Sequence, residues 1–100
     1  MKNNKYNPFG HEMIISIHLS IENQRKFDEL MSLYDSYQSV ISSAEFYGEP
    51  FDSVSYEWNA IKVIDSFIAE AMDLIRKVSS YDNLALDEAC DRVCREMGVN

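Results

Sequence analysis

The sequence predicts an all-α fold: a long antiparallel helical hairpin plus a shorter C-terminal third helix, with an N-terminal arm and a short candidate β-strand. The first observation is periodic. Between Ile21 and Tyr47, the apolar residues Phe27, Leu30, Tyr34, Tyr37, Ile41 and Ala44 recur at alternating spacings of three and four. Between Val54 and Ser79, Ile61, Ile64, Ile68, Ala71, Ile75 and Val78 do the same. That spacing draws one apolar stripe along a helix. The second observation is the short break at Gly48, Glu49 and Pro50, which turns one helix back on the other. The third is composition: 46% hydrophobic residues with only three Gly and two Pro suit a folded, turn-poor domain rather than a disordered chain or an all-β fold.

One hundred residues fit one small domain with a modest core. Residues 1–11 read as a flexible arm, with Asn residues, Pro8 and Gly10 around Tyr6 and Phe9. Residues 12–19 read either as a short strand, in which Met13, Ile15, Ile17 and Leu19 alternate with Ile14, Ser16 and His18, or as a first helical turn packed on the hairpin. The first hairpin helix covers 20–47, with Ser20 as its N-cap and Glu22 in a first turn that favours an anion. Gly48 suits the left-handed residue that ends a helix, and Pro50 cannot continue one. The second covers 52–79, capped by Asp52 or Ser53, with Arg76 and Lys77 complementing the dipole at its other end. The third covers 83–97, with Leu86, Ala89 or Cys90, Val93 and Met97 on one face and Gly98 as its stop.

The second helix is apolar over more than a seam, since Phe67, Leu74, Trp58 and Met72 flank its heptad. So wide a stripe needs more than one neighbour. A symmetric homodimer completing a four-helix bundle supplies one, which makes self-assembly a second reading of the whole chain.

Charge narrows the partners. Seventeen acidic and nine basic residues give a net charge of −8, which disfavours direct nucleic-acid binding and attraction to an anionic membrane. A small basic group of Lys2, Lys5, Arg25 and Lys26 balances charge. Neither a transmembrane span nor a signal peptide is expected from the short apolar run Met13 to Leu19. Cys90 and Cys94 lie one helical turn apart and do not bracket a loop, which argues for a reducing cytoplasm and two small buried residues. As metal ligands they would need two more donors, and only His11 and His18 are available. His11-Glu12 begins a zinc-protease signature that fails at Ile15, where the second His belongs. No metal and no cofactor is expected.

The most distinctive chemistry is an acidic block. From Phe27 to Ile61 there is no Lys or Arg, and around the hairpin turn Glu45, Glu49, Asp52 and Glu57 surround Phe46, Tyr47, Phe51, Tyr56 and Trp58. Five aromatics within thirteen residues exceed what one interhelical turn needs. Aromatics rimmed by carboxylates suit a hot spot for a basic protein surface, and these nine residues form the candidate partner-binding site. The expected function is therefore a non-catalytic inhibitor or adaptor, of the type that phage or mobile elements direct against a host protein. Carboxylates spaced as phosphate mimics would extend this to a host protein that binds nucleic acid. The competing assignment is a solvated acidic face over aromatics that lock the turn.

Asp28 and Glu29 on the first helix, with Glu70 and Asp73 on the second, resemble the paired acidic motifs of all-α nucleotide pyrophosphohydrolases of the MazG type. That resemblance implies magnesium held between adjacent helices. The heptad register instead turns Glu70 and Asp73 away from the Ile61 to Val78 seam, and a metal cluster needs converging acids. With no Ser/His/Asp, Cys/His or phosphate-loop pattern in the chain, an enzyme is not expected.

Overall fold

The computed structural model describes residues 8–77 and 84–99. Four helices pack on one another: α1 (Pro8–His18), α2 (Ile21–Phe46), α3 (Ser55–Lys77) and α4 (Leu84–Met97), with a 3-10 turn at Phe51–Val54 leading into α3. The fold is all-α, and the described residues contain no strand. Residues 1–7 of the expected arm, Val78 and Ser79 at the expected end of the second hairpin helix, and Asn83 at the expected start of the third lie outside the described residues.

The hairpin follows its heptads. Phe27, Leu30, Tyr34, Ile41 and Ala44 of α2 are buried against Ile61, Ile64, Ile68 and Ala71 of α3, with Tyr37 and Ile75 half-buried at the same core. Phe27 meets Phe67 edge-on with ring centroids 6.0 Å apart, a favoured aromatic geometry. Leu86, Ala89, Cys90, Val93 and Cys94 bring α4 onto that core from one face.

The termini of the helices obey local chemistry. Ser20 accepts the Asn23 amide through its hydroxyl at 3.3 Å and caps α2. At the other end Gly48 has φ +71°, the Gly48 amide donates to Glu45 O (3.2 Å) and the Glu49 amide to Ala44 O (2.9 Å). This pair of bonds is a Schellman closure, which only a residue comfortable at positive φ permits. Gly98 ends α4 the same way, its amide bonded to Arg95 O and the Val99 amide to Cys94 O.

Two expectations require correction. Residues 12–18 are helical, Leu19 follows as a bend, and α1 also takes residues 8–11 from the expected arm. A helix satisfies its backbone groups internally, whereas a lone strand needs an edge to pair with and the described residues offer none. Burial on the hairpin then overrides the β preference of isoleucine: Ile15 and Leu19, one helical turn apart, enter the core. Asp52 and Ser53 are not the cap of the second hairpin helix. Both lie inside the 3-10 turn, in which the Ser53 amide and hydroxyl donate to Pro50 O, so α3 begins only at Ser55. Pro50 itself is extended (φ −66°, ψ 152°), and its carbonyl accepts from Ser53 to close the 3-10 turn before the helix begins.

The wide apolar stripe of α3 finds its extra neighbour within the chain, because α1 packs on α3 from the side that α2 and α4 leave open. Glu12 of α1 is carried towards α2, where burial first, then Asp28 and Asp35, raise its carboxyl pKa. Polar ties fix α4. Asn23, buried near the start of α2, donates its side-chain amide to Asp87 Oδ1 (2.9 Å) and Asp87 O (3.3 Å), while the Ser20 amide donates to the same carboxylate. Lys26 pairs with Asp91 at 3.5 Å, and Arg92 reaches both carboxylate oxygens of Glu70. Asn23→Ala removes two hydrogen bonds at a buried position and costs about 1–3 kcal/mol. The urea midpoint falls accordingly with an unchanged slope, and an unmoved midpoint would show that the link carries no stability.

Candidate protein-binding tip

Helix lengths separate the molecule into a body and a tip. At 1.5 Å per residue the 26 residues of α2 extend about 39 Å, against about 21 Å for the 14 residues of α4 and about 16 Å for the 11 of α1. Asp87 sets the start of α4 beside Asn23, and Gly98 and Val99 at its end lie beside Glu29, Leu33 and Ser36. On the other side, α1 ends where α2 begins, and His11 lies beside Asp65, Met72 and Arg76. The four-helix body thus covers the first half of α2 and the second half of α3. Beyond it the hairpin continues as two helices closed by the 3-10 turn, giving a molecule 47 × 30 × 19 Å across.

All nine residues of the candidate site lie in this tip. Four aromatics project into solvent: Phe46 is 82% exposed, Tyr47 73%, Tyr56 64% and Phe51 62%. They are ordered by contact with each other and with the hairpin. Phe46 meets Tyr47 at 5.1 Å, Phe51 leans on Trp58 at 6.2 Å, and Tyr56 stands edge-on to Tyr37 at 5.9 Å. Trp58 differs from the rest, being half-buried and packed against the core. Glu45, Glu49 and Asp52 are exposed and Glu57 is partly so. The Ser53 hydroxyl approaches Glu49 Oε1 at 3.5 Å. Core formation therefore does not account for these aromatics, because only Trp58 contributes to the packed interior.

Flanking residues that the sequence reading passed over complete the surface. One groove is lined by Val40, Ser43, Ala44, Tyr47, Glu49 and Val54, and another by Gln38, Ile41, Ser42, Glu45, Trp58 and Ile61. The signal for them was periodic. Val40 and Ser43 lie seven and four residues before Tyr47, and Gln38 and Ser42 lie seven and three before Glu45, so each set shares a helical face with its site residue.

The carboxylates of the pyrophosphohydrolase-like pattern are engaged elsewhere or apart. Arg92 binds Glu70 at 2.8 and 3.0 Å, Asp73 pairs with Lys77 at 3.1 Å, and Asp28 and Glu29 stand exposed on α2. Cys90 and Cys94 are free, buried thiols with Sγ atoms 4.0 Å apart. The hydrogen bond to Cys94, then burial, pushes the Cys90 thiol up. Among the described residues, no three His, Cys, Asp or Glu side chains converge in a way that would hold a metal ion, and no helix is long and apolar enough to cross a membrane. Compared with known proteins, the chain matches no family model, no curated protein and no solved structure.

Proposed function

We propose that this chain is a non-catalytic protein-binding module, a small inhibitor or adaptor, whose hairpin tip docks on a basic surface of another protein. The observation that carries this reading is the tip itself: it projects beyond the four-helix body and exposes four aromatics on a surface without one Lys or Arg from Phe27 to Ile61. Exposed aromatics of this kind find their free energy in an interface, and surrounding carboxylates select the partner by charge and speed its approach. A host protein that binds nucleic acid offers such a basic face, which fits an antagonist of the phage or mobile-element type. Two free thiols suit a reducing cytoplasm.

The test is capture of partners by the tagged protein beside a Phe46→Ala/Phe51→Ala variant. Both side chains are exposed, so the variant keeps the fold and the melting temperature of the parent. A stoichiometric basic partner held by the parent and bound roughly 30-fold or more weakly by the variant is the expected result, about 2 kcal/mol being the threshold of a hot spot. Equal capture by both proteins refutes the reading.

Self-assembly keeps one specific observation in its favour. Ile17 of α1, Ile21 of α2 and Leu84 of α4 are exposed at the opposite end of the molecule, where Asp87 joins the α1 to α2 corner. On this reading the homodimer forms through that end, since pairing the tips would set Glu45, Glu49, Asp52 and Glu57 of one copy against those of the other. Light scattering distinguishes the readings: Ile21→Ser and Leu84→Ser dissociate such a dimer, and Phe46→Ala leaves it intact.

A further inference from the structure

The two grooves of the tip have the same construction on opposite faces of α2. In the first, of about 290 Å³, Ile41 and Ile61 form an aliphatic floor, Trp58 an aromatic wall, and Glu45 the rim. In the second, of about 450 Å³, buried Ala44 and Val54 form the floor, with Val40 exposed at its edge, Tyr47 supplies the ring and Glu49 the carboxylate, and Ser39, Ser43 and Ser53 also line it. At about 100° per residue, positions 38, 42 and 45 point nearly opposite to 40, 43 and 47, and Phe46 falls between the two sets. Phe46 is the most exposed aromatic of the tip.

An aliphatic floor, an aromatic wall and one carboxylate together match a single kind of side chain: a cation on an apolar stem. The stem covers the floor as lysine and arginine stems do on protein surfaces. The head lies over the ring face and pairs with the carboxylate. Arginine suits both contacts better than lysine, because its guanidinium is planar, weakly hydrated and able to stack and to donate two parallel hydrogen bonds at once. We infer that the tip is a two-socket arginine receptor, taking one arginine of the partner beside Trp58 and Glu45 and a second beside Tyr47 and Glu49, with the partner's backbone crossing over Phe46. This rests on the reading of the tip as a docking surface and adds what the partner presents there. The helix the segment must straddle is about 10–12 Å across. At about 3.3 Å per residue, an extended segment bridges it when its arginines are separated by about three residues.

The probes are three blocked peptides: two arginines separated by three alanines, the same peptide with two lysines, and the same peptide with one arginine replaced by alanine. Each is titrated into the full chain at low salt, with amide and indole chemical shifts as readout. The double-arginine peptide is expected to shift Trp58, Glu45, Phe46, Tyr47 and Glu49 together and to bind roughly tenfold tighter than either of the others. Glu45→Gln, an exposed change that leaves folding intact, is expected to reduce it to the affinity of the single-arginine peptide while the shifts at Tyr47 and Glu49 persist. Equal affinity for the arginine and lysine peptides, with shifts still confined to the tip, overturns the arginine sockets and leaves the docking surface standing. No shift at the tip at roughly millimolar peptide overturns both.

Discussion

Phe27→Ala lowers the unfolding free energy by about 3–5 kcal/mol, while Phe46→Ala changes it by less than about 0.5 kcal/mol. The two residues lie on the same helix and differ only in where its stripe places them. Phe27 is fully buried, edge-on to Phe67 where α3 and α4 meet α2, so truncation leaves a cavity that closely packed neighbours cannot fill. Phe46 is exposed at the tip, where its ring meets that of Tyr47. Against a total stability of about 5–15 kcal/mol for a domain, the first change removes a large share. Paired denaturant titrations measure both values. Similar losses at the two positions would mean that the tip aromatics belong to the folding core, and the docking reading would lose its basis.

The hairpin was legible because two independent signals, the heptad stripe and the turn at Gly48 to Pro50, specify the same geometry. Each seam residue from Phe27 to Ala44 and from Ile61 to Ile75 faces the core in the structure. The third helix was legible for the same reason, and Gly98 closes it as expected. The 3-10 turn was less so: Asp52 and Ser53 are good caps by type, but the Ser53 amide and hydroxyl are taken by the Pro50 carbonyl inside the turn. The breadth of the α3 stripe announced another neighbour but not its source. The sequence permitted a second subunit, and the structure supplies α1.

The nine tip residues were legible as a group, since charge and aromatic content can be counted along a chain. Their division into two faces was not. Whether Trp58 and Glu45 share a groove depends on the rotation of α2 against α3, which follows from the whole interhelical packing rather than from either segment. Exposure was likewise hidden. The shortness of α1 and α4 beside the hairpin leaves Phe46, Tyr47, Phe51 and Tyr56 uncovered, and that is a property of the assembled fold.

Ile15→Ala and Ile17→Ala separate a helix from a strand at the segment that the sequence left open between the two. In a strand these two residues share a face, because side chains alternate with a period of two, and truncating either would have a similar effect. In α1 they lie about 200° apart. Ile15 is 0% exposed and Ile17 is 72% exposed. Ile15→Ala therefore costs about 2–5 kcal/mol, within the range for a buried aliphatic reduced to a methyl group, and Ile17→Ala stays within about 0.5 kcal/mol. The second substitution also raises helix propensity, since Ala replaces a β-branched residue whose side chain is restricted by the preceding turn. Thermal unfolding followed by circular dichroism gives the comparison directly. A melting temperature lowered only by Ile15→Ala establishes that α1 docks by one helical face and that this docking stabilises the hairpin. Equal effects at both positions would return the segment to an extended conformation and leave the stripe of α3 without its third neighbour.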